Sequence, residues 1–580
     1  MSKLPTRLLY LGLFAALGAC TTLNEDATPA AAPAVTRAPA VAVTPVEEVE
    51  YGNFTEEQLY QAIISELGAQ RGEIEDAGNN YFDLAFSTRD LGVIQRAVQF
   101  ASINDDLNAL LQLGLLWAEV VPNDPQPHML LSFQFLESGN FDQALSHMAR
   151  VIDLGGNIDF AVLSSRTGRL APEARTGLIA NLRELRIEYP EQESIQMALV
   201  RLLAQNQQFA EALTELSAVK QRLPLTSEIV ILESQLQQSL ENPVQALRTM
   251  RNGVREFPDD NDLRLSYARL LIQQDDYPEA QNQFRLMMEQ NPQDWETLYS
   301  IALLDVEMEN YSNAASAFQR LIGAEQRVDE SQFYLGYIYE QQEDFIRAIE
   351  HYRQVRIGTN NFLAAQQQAT RFSIQLGELE DAHQWLSRLS RGQPRLEVLF
   401  TTIEAGALQQ YGHSADAKAL LDSALNSYPN DADLLFARVM YYDSIGDRSG
   451  SEADLRQIIL VQPEDSRALN HLGYMLADQT TRYEEAVDLL ERAIAISPDD
   501  PAIIDSLAWA QYKLGKYDDA LANLRRAYAA FRDHEVASHL GEVLWVMGRQ
   551  DEAVRVWSEA LQETPDSPLI KEAMERLQSS

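Results

Sequence analysis

The side chains able to perform catalysis or bind a metal are few and dispersed along this chain of 580 residues. It contains neither an H-E-x-x-H motif nor a G-x-S-x-G motif, and Gly515-Lys516 lacks the upstream glycine and the Ser or Thr of a phosphate-binding loop. The histidines are His128, His147, His351, His383, His413, His471, His534 and His539. Only His534 and His539 lie close in sequence, and we interpret all eight as surface or packing residues. The sequence therefore predicts a protein that is not an enzyme, with no metal, no cofactor and no small-molecule substrate.

One residue has the setting of a covalent modification site. Cys20 is the only cysteine, and it follows basic residues and an apolar stretch from Leu8 to Ala16. That stretch is too short to span a bilayer as a helix and has the form of a signal peptide. The sequence Leu17-Gly18-Ala19-Cys20 resembles a bacterial lipobox, which implies cleavage between Ala19 and Cys20 and acylation of the cysteine. The alternative is an ordinary signal peptide with an accidental cysteine.

Acylation of Cys20 would decide both location and chemistry. Each buried acyl CH₂ contributes ~0.8 kcal/mol, so two or three chains of palmitate type give a stable anchor. Thr21 stands where many Gram-negative lipoproteins of the inner membrane carry a retention aspartate. We therefore expect a lipoprotein of the outer membrane that faces the periplasm. No thiol would remain for a disulfide, a zinc site or a nucleophile.

The residues after the cysteine predict a tether. Alanine and proline without aromatic residues, as in Thr28-Pro29-Ala30-Ala31-Ala32-Pro33, cannot form a packed core, and we expect disorder or an extended chain. At ~3.1 Å per residue in polyproline geometry, about thirty residues would reach roughly 90 Å at most. The tether would let the rest of the chain work away from the membrane.

The remainder of the chain is periodic. Alanine recurs every 34 residues, at Ala212, Ala246, Ala280, Ala314, Ala348 and Ala382, which we call the ladder alanines. Proline recurs at the same interval, at Pro190, Pro224, Pro258 and Pro292, which we call the ladder prolines. A 34-residue period with a small residue inside a helix and a proline at its end is typical of the tetratricopeptide repeat. We predict an all-α superhelical solenoid of about a dozen helix pairs, in which each repeat packs on its neighbours.

The stretch from Ser331 to Ile357 shows the repeat best. Leu335, Gly336 and Tyr339 form one face of a first helix; the matching face of the second helix is formed by Phe345, Ala348, Tyr352 and Val355. The small residues should allow close helix approach. Glycines such as Gly377, Gly446, Gly515 and Gly548 fall at the predicted turns between helices, where a left-handed residue is needed.

The periodicity also predicts the domain organisation. Residues 1–19 form the signal peptide and 20–53 the lipidated cysteine with its tether. Residues 54–180 are irregular repeats, where Leu178 stands in place of the expected alanine. Residues 181–567 are regular repeats, and 568–580 form a capping helix.

The charge balance excludes some partners. The chain has 46 Lys and Arg against 86 Asp and Glu, a net charge of −40. Nucleic-acid binding depends on basic patches, so we exclude that class, and anionic lipid surfaces would repel the chain. We interpret most of the charge as a solvated outer face.

A partner-binding groove is predicted from the repeat. The position fifteen residues before each ladder alanine lies on a first helix, and it is apolar in five consecutive repeats: Met197, Ile231, Leu265, Tyr299 and Phe333. An exposed apolar stripe of this kind marks a protein-binding surface. The competing interpretation is that these side chains pack against neighbouring helices.

The lipobox, the tether and the number of repeats together resemble the long tetratricopeptide outer-membrane lipoproteins of γ-proteobacteria, including adaptors of periplasmic carboxyl-terminal-processing proteases. The resemblance extends to Asn80-Tyr81-Phe82-Asp83-Leu84-Ala85 and to the run from Ala468 to Asp505. It implies a scaffold that brings such a protease to cell-wall hydrolase substrates. The alternative function is an assembly factor of the cell envelope, such as a pilotin or a secretion or exopolysaccharide scaffold.

Overall fold

A computed structural model describes residues 54–578 of the chain, and this part is helical throughout. It contains 31 α-helices and one short 3₁₀ helix, Thr167–Arg169, with no strand among the described residues. The prediction of an all-α fold is confirmed. Packing divides the chain into a first unit that ends at Met308 and a second unit that begins at Glu309.

The helices of the two units follow one another with short turns. Those of the first unit are Glu56–Gln70, Ile74–Thr88, Leu91–Ile103, Leu107–Val120, Pro125–Glu137, Phe141–Asp153, Ala161–Arg166, Pro172–Glu188, Glu193–Gln205, Phe209–Arg222, Ser227–Ser239, Pro243–Glu256, Asn261–Gln273, Tyr277–Gln290 and Trp295–Glu307. Those of the second unit are Tyr311–Gly323, Val328–Gln341, Phe345–Arg353, Phe362–Gln375, Leu379–Ser390, Pro394–Gln410, Ser414–Ser427, Ala432–Ile445, Arg448–Val461, Ser466–Gln479, Tyr483–Ile496, Pro501–Lys513, Tyr517–Ala530, His534–Val546, Gln550–Glu563 and Pro568–Gln578.

The ladder alanines lie where the paired helices meet. All six, from Ala212 to Ala382, are buried. Gly336 has the same role on the first helix of its repeat, because a Cβ there would lie only 2.7 Å from the ring of Tyr352. Small residues therefore set the distance between the two helices of a pair, as the sequence predicts.

The turn inside each repeat needs a residue with positive φ. Gly377, Gly446, Gly515 and Gly548 have φ between 73° and 82°, which confirms the predicted turn glycines. The same position in the preceding repeats is occupied by side chains that are not glycine, at Gln207, Glu241, Asp275, Glu309 and Glu343. These residues adopt the left-handed conformation at φ between 57° and 62°, where L-residues are strained by roughly 1–2 kcal/mol.

Acidic residues that follow a proline at the end of a repeat cap the next helix. Asp260 accepts a hydrogen bond from the backbone N–H of Leu263 at 2.9 Å, and Asp500 accepts one from Ala502 at 2.9 Å. Such caps satisfy amide groups that have no partner within the helix. Asp500 is thus the N-cap of the helix Pro501–Lys513.

Two parts of the repeat pattern differ from expectation. The second helix of the Ser331–Ile357 repeat ends at Arg353, so Val355 lies beyond it, although its side chain is still buried against the core. In the irregular region, a helix of only six residues, Ala161–Arg166, precedes the 3₁₀ turn. The boundary drawn at 180/181 falls inside the helix Pro172–Glu188, because the sequence pattern becomes regular there while the helix is continuous.

The terminal helix Pro568–Gln578 packs against His534–Val546. Ile570 and Ala573 are buried, and the backbone carbonyl of Leu569 accepts a hydrogen bond from Ser538 Oγ at 3.2 Å. The capping role of residues 568–580 stays a prediction.

Candidate functional site

The predicted groove positions lie on first helices of successive repeats. Met197, Ile231 and Leu265 occupy the helices Glu193–Gln205, Ser227–Ser239 and Asn261–Gln273 of the first unit. All three side chains are partly exposed. The second and third of these helices are in direct contact. The first unit therefore presents apolar side chains to solvent at intervals of one repeat.

The last two predicted positions are placed differently. Tyr299 is 3% exposed and Phe333 is 8% exposed. The ring of Phe333 packs against the rings of Tyr334 and Tyr352, with centroids 5.6 Å apart in both cases. At Tyr299 and Phe333 the side chain therefore contributes to the core, in line with the competing interpretation, and the exposed part of the predicted stripe is limited to three residues. Partner binding at these three residues stays a prediction.

A polar and aromatic cluster lies on the first helices of the last repeats. His539 Nδ1 lies 2.9 Å from Oδ2 of Asp505, and both side chains are buried. The indole of Trp509 stacks on the His539 ring at a centroid distance of 4.0 Å. Burial by itself would lower the pKa of His539, but the Asp505 carboxylate outweighs it and raises that pKa above its usual range.

Hydrogen bonds extend this cluster across three repeats. The Tyr474 hydroxyl donates to Glu535 at 2.8 Å, across a separation of 61 residues. The Tyr512 hydroxyl donates to Glu542 at 2.9 Å, and Glu542 also pairs with Arg576 of the terminal helix. Burial, together with the Glu535 carboxylate, raises the pKa of Tyr474 well above its ordinary value. The cluster is internally paired, so we interpret it as a structural element that joins the repeats.

The structure brings together two histidines that the sequence does not place side by side. The Nδ1 atoms of His128 and His147 lie 2.9 Å apart, and the rings stack at 5.1 Å. Burial lowers the pKa of both, and it lowers that of His147 to about 4 with a contribution from His128. His534 and His539, which are close in sequence, bind different partners, Ser567 and Asp505.

The number of residues that separates the two partners could have predicted such pairs. His128 and His147 are 19 residues apart, and so are the hydrogen-bonded pairs Gln332 with His351 and Gln366 with Trp385. A separation of 19 residues joins corresponding positions on the first and second helices of one repeat. Within residues 54–578, no group of three or more His, Cys, Asp or Glu is arranged to hold a metal ion.

The structure does not describe the predicted acylation site. Cys20 and the cleavage position at Ala19 lie outside the described residues, as does the tether. In the described part of the chain, no helix is both long and apolar enough to cross a membrane.

Comparison with known proteins decides the family. Models of the tetratricopeptide repeat match residues 239–304, 299–362, 436–501 and 506–568. A TPR repeat-containing protein of Pseudomonas aeruginosa is 35% identical over 545 residues, which covers 93% of this chain and 91% of that protein. The chain belongs to the tetratricopeptide repeat family. The matched ranges include Leu265 and His539, while Asp505 lies between two of them.

Other similarities are more limited. The tetratricopeptide chain is 28% identical to cellulose synthase 2 operon protein C of Komagataeibacter xylinus over 184 residues, which is 31% of this chain and 14% of that protein. Among solved structures, it is similar to a tetratricopeptide repeat protein of Parabacteroides merdae, with 16% identity and a TM-score of 0.31 over 43% of this chain and 98% of the other. A TPR protein of Thermus thermophilus has 22% identity and a TM-score of 0.27, over 31% and 97% of the two chains.

Proposed function

We propose that this tetratricopeptide protein is a protein-binding adaptor, anchored to the outer membrane by acyl chains on Cys20 and facing the periplasm. The lipobox-like sequence around Ala19 and Cys20 and the Pro/Ala-rich segment after it support the anchor and the tether. The family membership supports the binding role, because tetratricopeptide solenoids present extended surfaces to other proteins. Its role would be recognition, without chemistry of its own.

The observation that carries the binding role is the partial exposure of Met197, Ile231 and Leu265 at equivalent positions of successive repeats. Neighbouring apolar side chains on the same helices, such as Leu199 and Leu263, are buried. Solvent contact at the three positions is therefore a property of that face of the helices. A partner segment lying across these helices would bury all three side chains.

The partners that we propose are a periplasmic carboxyl-terminal-processing protease and its cell-wall hydrolase substrates. This choice rests on the resemblance described for the lipobox, the tether and the number of repeats. Two proteins held on separate repeats of one chain would meet at a raised effective concentration, without any new contact between them. Favourable partner surfaces would be neutral or basic, because the chain carries a net charge of −40.

A second candidate function is an assembly factor for a cell-envelope machine. The partial similarity to cellulose synthase 2 operon protein C favours a polysaccharide-export scaffold over a pilotin within this class. The two candidates differ in the partners that they predict.

A crosslinking experiment separates them. The tagged lipoprotein is crosslinked in cells, purified from membranes and analysed by mass spectrometry, with Cys20→Ser as the control that removes the acylation site. We expect a periplasmic serine protease and cell-wall hydrolases with the wild type, and loss of membrane association with Cys20→Ser. Recovery of secretin, pilus or polysaccharide-export components would favour the assembly factor, and hydrolytic activity of the purified chain alone would contradict both functions.

A further inference from the structure

A cavity of about 530 Å³ lies in the first unit between the helices Pro243–Glu256, Asn261–Gln273 and Tyr277–Gln290. Three arginines line it, Arg251, Arg255 and Arg264. They belong to a chain in which acidic residues outnumber basic ones by 86 to 46, so this is a local concentration of positive charge. Nothing in the function proposed above uses it.

Arg264 is the unusual member of the three. Its side chain is only 6% exposed, and its two described acceptors are neutral. Nη1 donates to Gln283 Oε1 at 2.7 Å and Nη2 donates to the Pro258 carbonyl at 2.6 Å. Of the N–H groups left over, the one on Nε is buried and has no hydrogen-bond partner. A guanidinium stays protonated even when buried, so this donor and this charge favour an acceptor with negative charge.

The other two arginines lie at the exposed side of the cavity. Arg251 Nε donates a hydrogen bond to the Tyr267 hydroxyl at 3.3 Å. Within the described residues, no carboxylate oxygen lies within ion-pair distance of the nitrogens of Arg251, Arg255 or Arg264. Elsewhere in the chain, Arg438 shows the usual arrangement, because it binds both Asp422 and Asp454.

Two acidic residues also line the cavity, and both already accept hydrogen bonds. The hydrogen bond to Tyr267 and, to a smaller extent, the charges of Glu279 and Asp276 raise the pKa of Arg251. Asp276 caps a helix by accepting from the backbone N–H of Glu279 at 3.4 Å. Glu279 accepts from Gln283 Nε2 at 2.6 Å. With three arginines against two carboxylates, the charge of the lining side chains is positive by one.

We propose that this cavity binds an acidic side chain of another polypeptide, whose carboxylate accepts hydrogen bonds from the arginines. Arginine recognises carboxylates with paired, charge-assisted hydrogen bonds. The cavity is large enough to admit a side chain from another polypeptide. Val254 and Leu286 line the same cavity and offer apolar contact to the aliphatic part of a glutamate. The inference rests on the proposed protein-binding role and specifies the chemistry of one contact.

Peptide titration tests the inference without any full-length partner. The mature chain with Cys20→Ser is titrated by calorimetry with acetyl-Ala-Leu-Glu-Leu-Ala-amide, with the same peptide carrying Gln for Glu, and with inorganic phosphate. We expect the Glu peptide to bind at least tenfold more tightly than the Gln peptide and more tightly than phosphate. We also expect its affinity to fall as salt is raised, because charge pairs at exposed groups are screened.

Two arginine variants supply the matched comparison. Arg251→Gln should weaken binding of the Glu peptide about tenfold, the effect of losing one charge-assisted hydrogen bond. Arg269→Gln, on an exposed arginine of the helix Asn261–Gln273 that does not line the cavity, should leave the affinity unchanged. Because Arg251 is exposed, circular dichroism should show the same helix content in both variants.

Several results would overturn the inference: no binding of the Glu peptide at millimolar concentration, equal affinity for the two peptides, tighter binding of phosphate, or equal losses in the two variants. The inference can fail separately from the adaptor function. If crosslinking recovers protease and hydrolases but the Glu peptide does not bind, the adaptor function stands and the cavity has another role. If the Glu peptide binds as expected but no protein is recovered, the adaptor function fails.

Discussion

His539 Nδ1 lies 2.9 Å from Oδ2 of Asp505, which belongs to the first helix of the preceding repeat. The Trp509 indole stacks on the His539 ring. Glu535 and Glu542, from the same helix as His539, and Tyr474, from two repeats earlier, also face this ring. A buried charged pair is costly to break, because the partner that remains is left without compensation. The His539–Asp505 pair therefore stabilises the contact between two repeats, and its strength depends on pH because the charge of His539 does.

Replacing His539 should remove a stabilising term that depends on pH. The pKa of His539 is raised in the folded state, so its contribution is fully present below the unfolded value of about 6.5 and is lost as pH rises through the folded value. We expect His539→Gln to lower the free energy of unfolding by roughly 3 kcal/mol at pH 6, the cost of breaking a buried pair, and by less at pH 9. Guanidinium unfolding at the two pH values measures the difference.

His413→Gln is the matched control for that experiment. His413, the N-cap residue of the helix Ser414–Ser427, lies 3.8 Å from Asp416 near the surface, and an exposed pair of this kind contributes little. We expect it to leave stability unchanged at both pH values. A loss of stability in His539→Gln that is the same at pH 6 and pH 9 would contradict a charged His539.

The His128–His147 pair should change stability with pH in the opposite direction, so that stability is lost as pH falls. Burial lowers the pKa of His147 to about 4 in the folded state, while the unfolded chain takes up a proton near 6.5. Stability should therefore fall as pH drops from 6.5 to 4, by roughly 1–2 kcal/mol after allowance for solvent at this half-buried site. His147→Gln should flatten this part of the pH profile. An NMR titration of the His147 ring with a midpoint near 6.5 would refute the explanation.

Glycine should be favoured at the strained turn positions. Glu343 has a φ of 58°, and in later repeats Gly377, Gly446, Gly515 and Gly548 occupy the equivalent turn position. We expect Glu343→Gly to raise the free energy of unfolding by about 0.5–1 kcal/mol, because relief of left-handed strain exceeds the added entropy of the unfolded chain. Glu350→Gly, within the helix Phe345–Arg353, should lower it by about 1 kcal/mol instead. Equal effects in thermal unfolding would show that the turn conformation is not strained.

The partly exposed groove positions should control partner binding without controlling the fold. Ile231→Glu combined with Leu265→Glu places charge on an apolar contact surface, and we expect crosslinking to the partners to fall at least tenfold while helix content is unchanged. Tyr299 is unsuitable for this test, since a charge at a side chain that is 3% exposed would disrupt packing. Val244→Glu, at an exposed apolar side chain on a second helix, is the control that should retain binding. Retained binding in the double variant would place the partner elsewhere.

The amino-acid sequence determines the helices and their immediate pairing. The 34-residue interval from Ala212 to Ala382 predicts the repeats, because each repeat packs mainly on its neighbours and needs a small residue at the same place each time. The glycines at the turns follow from the same period, and only the non-glycine residues at that position, such as Glu343, are missed.

Only the tertiary structure decides which side chains are exposed and which charges meet. Leu265 and Phe333 occupy the same position of the repeat, yet the first is partly exposed while the second is packed between Tyr334 and Tyr352. Similarly, Arg264 is buried without a carboxylate, and His539 is buried with one. The period fixes the backbone position of each residue, but exposure and pairing depend on the size and charge of side chains contributed by other helices, and these differ from one repeat to the next.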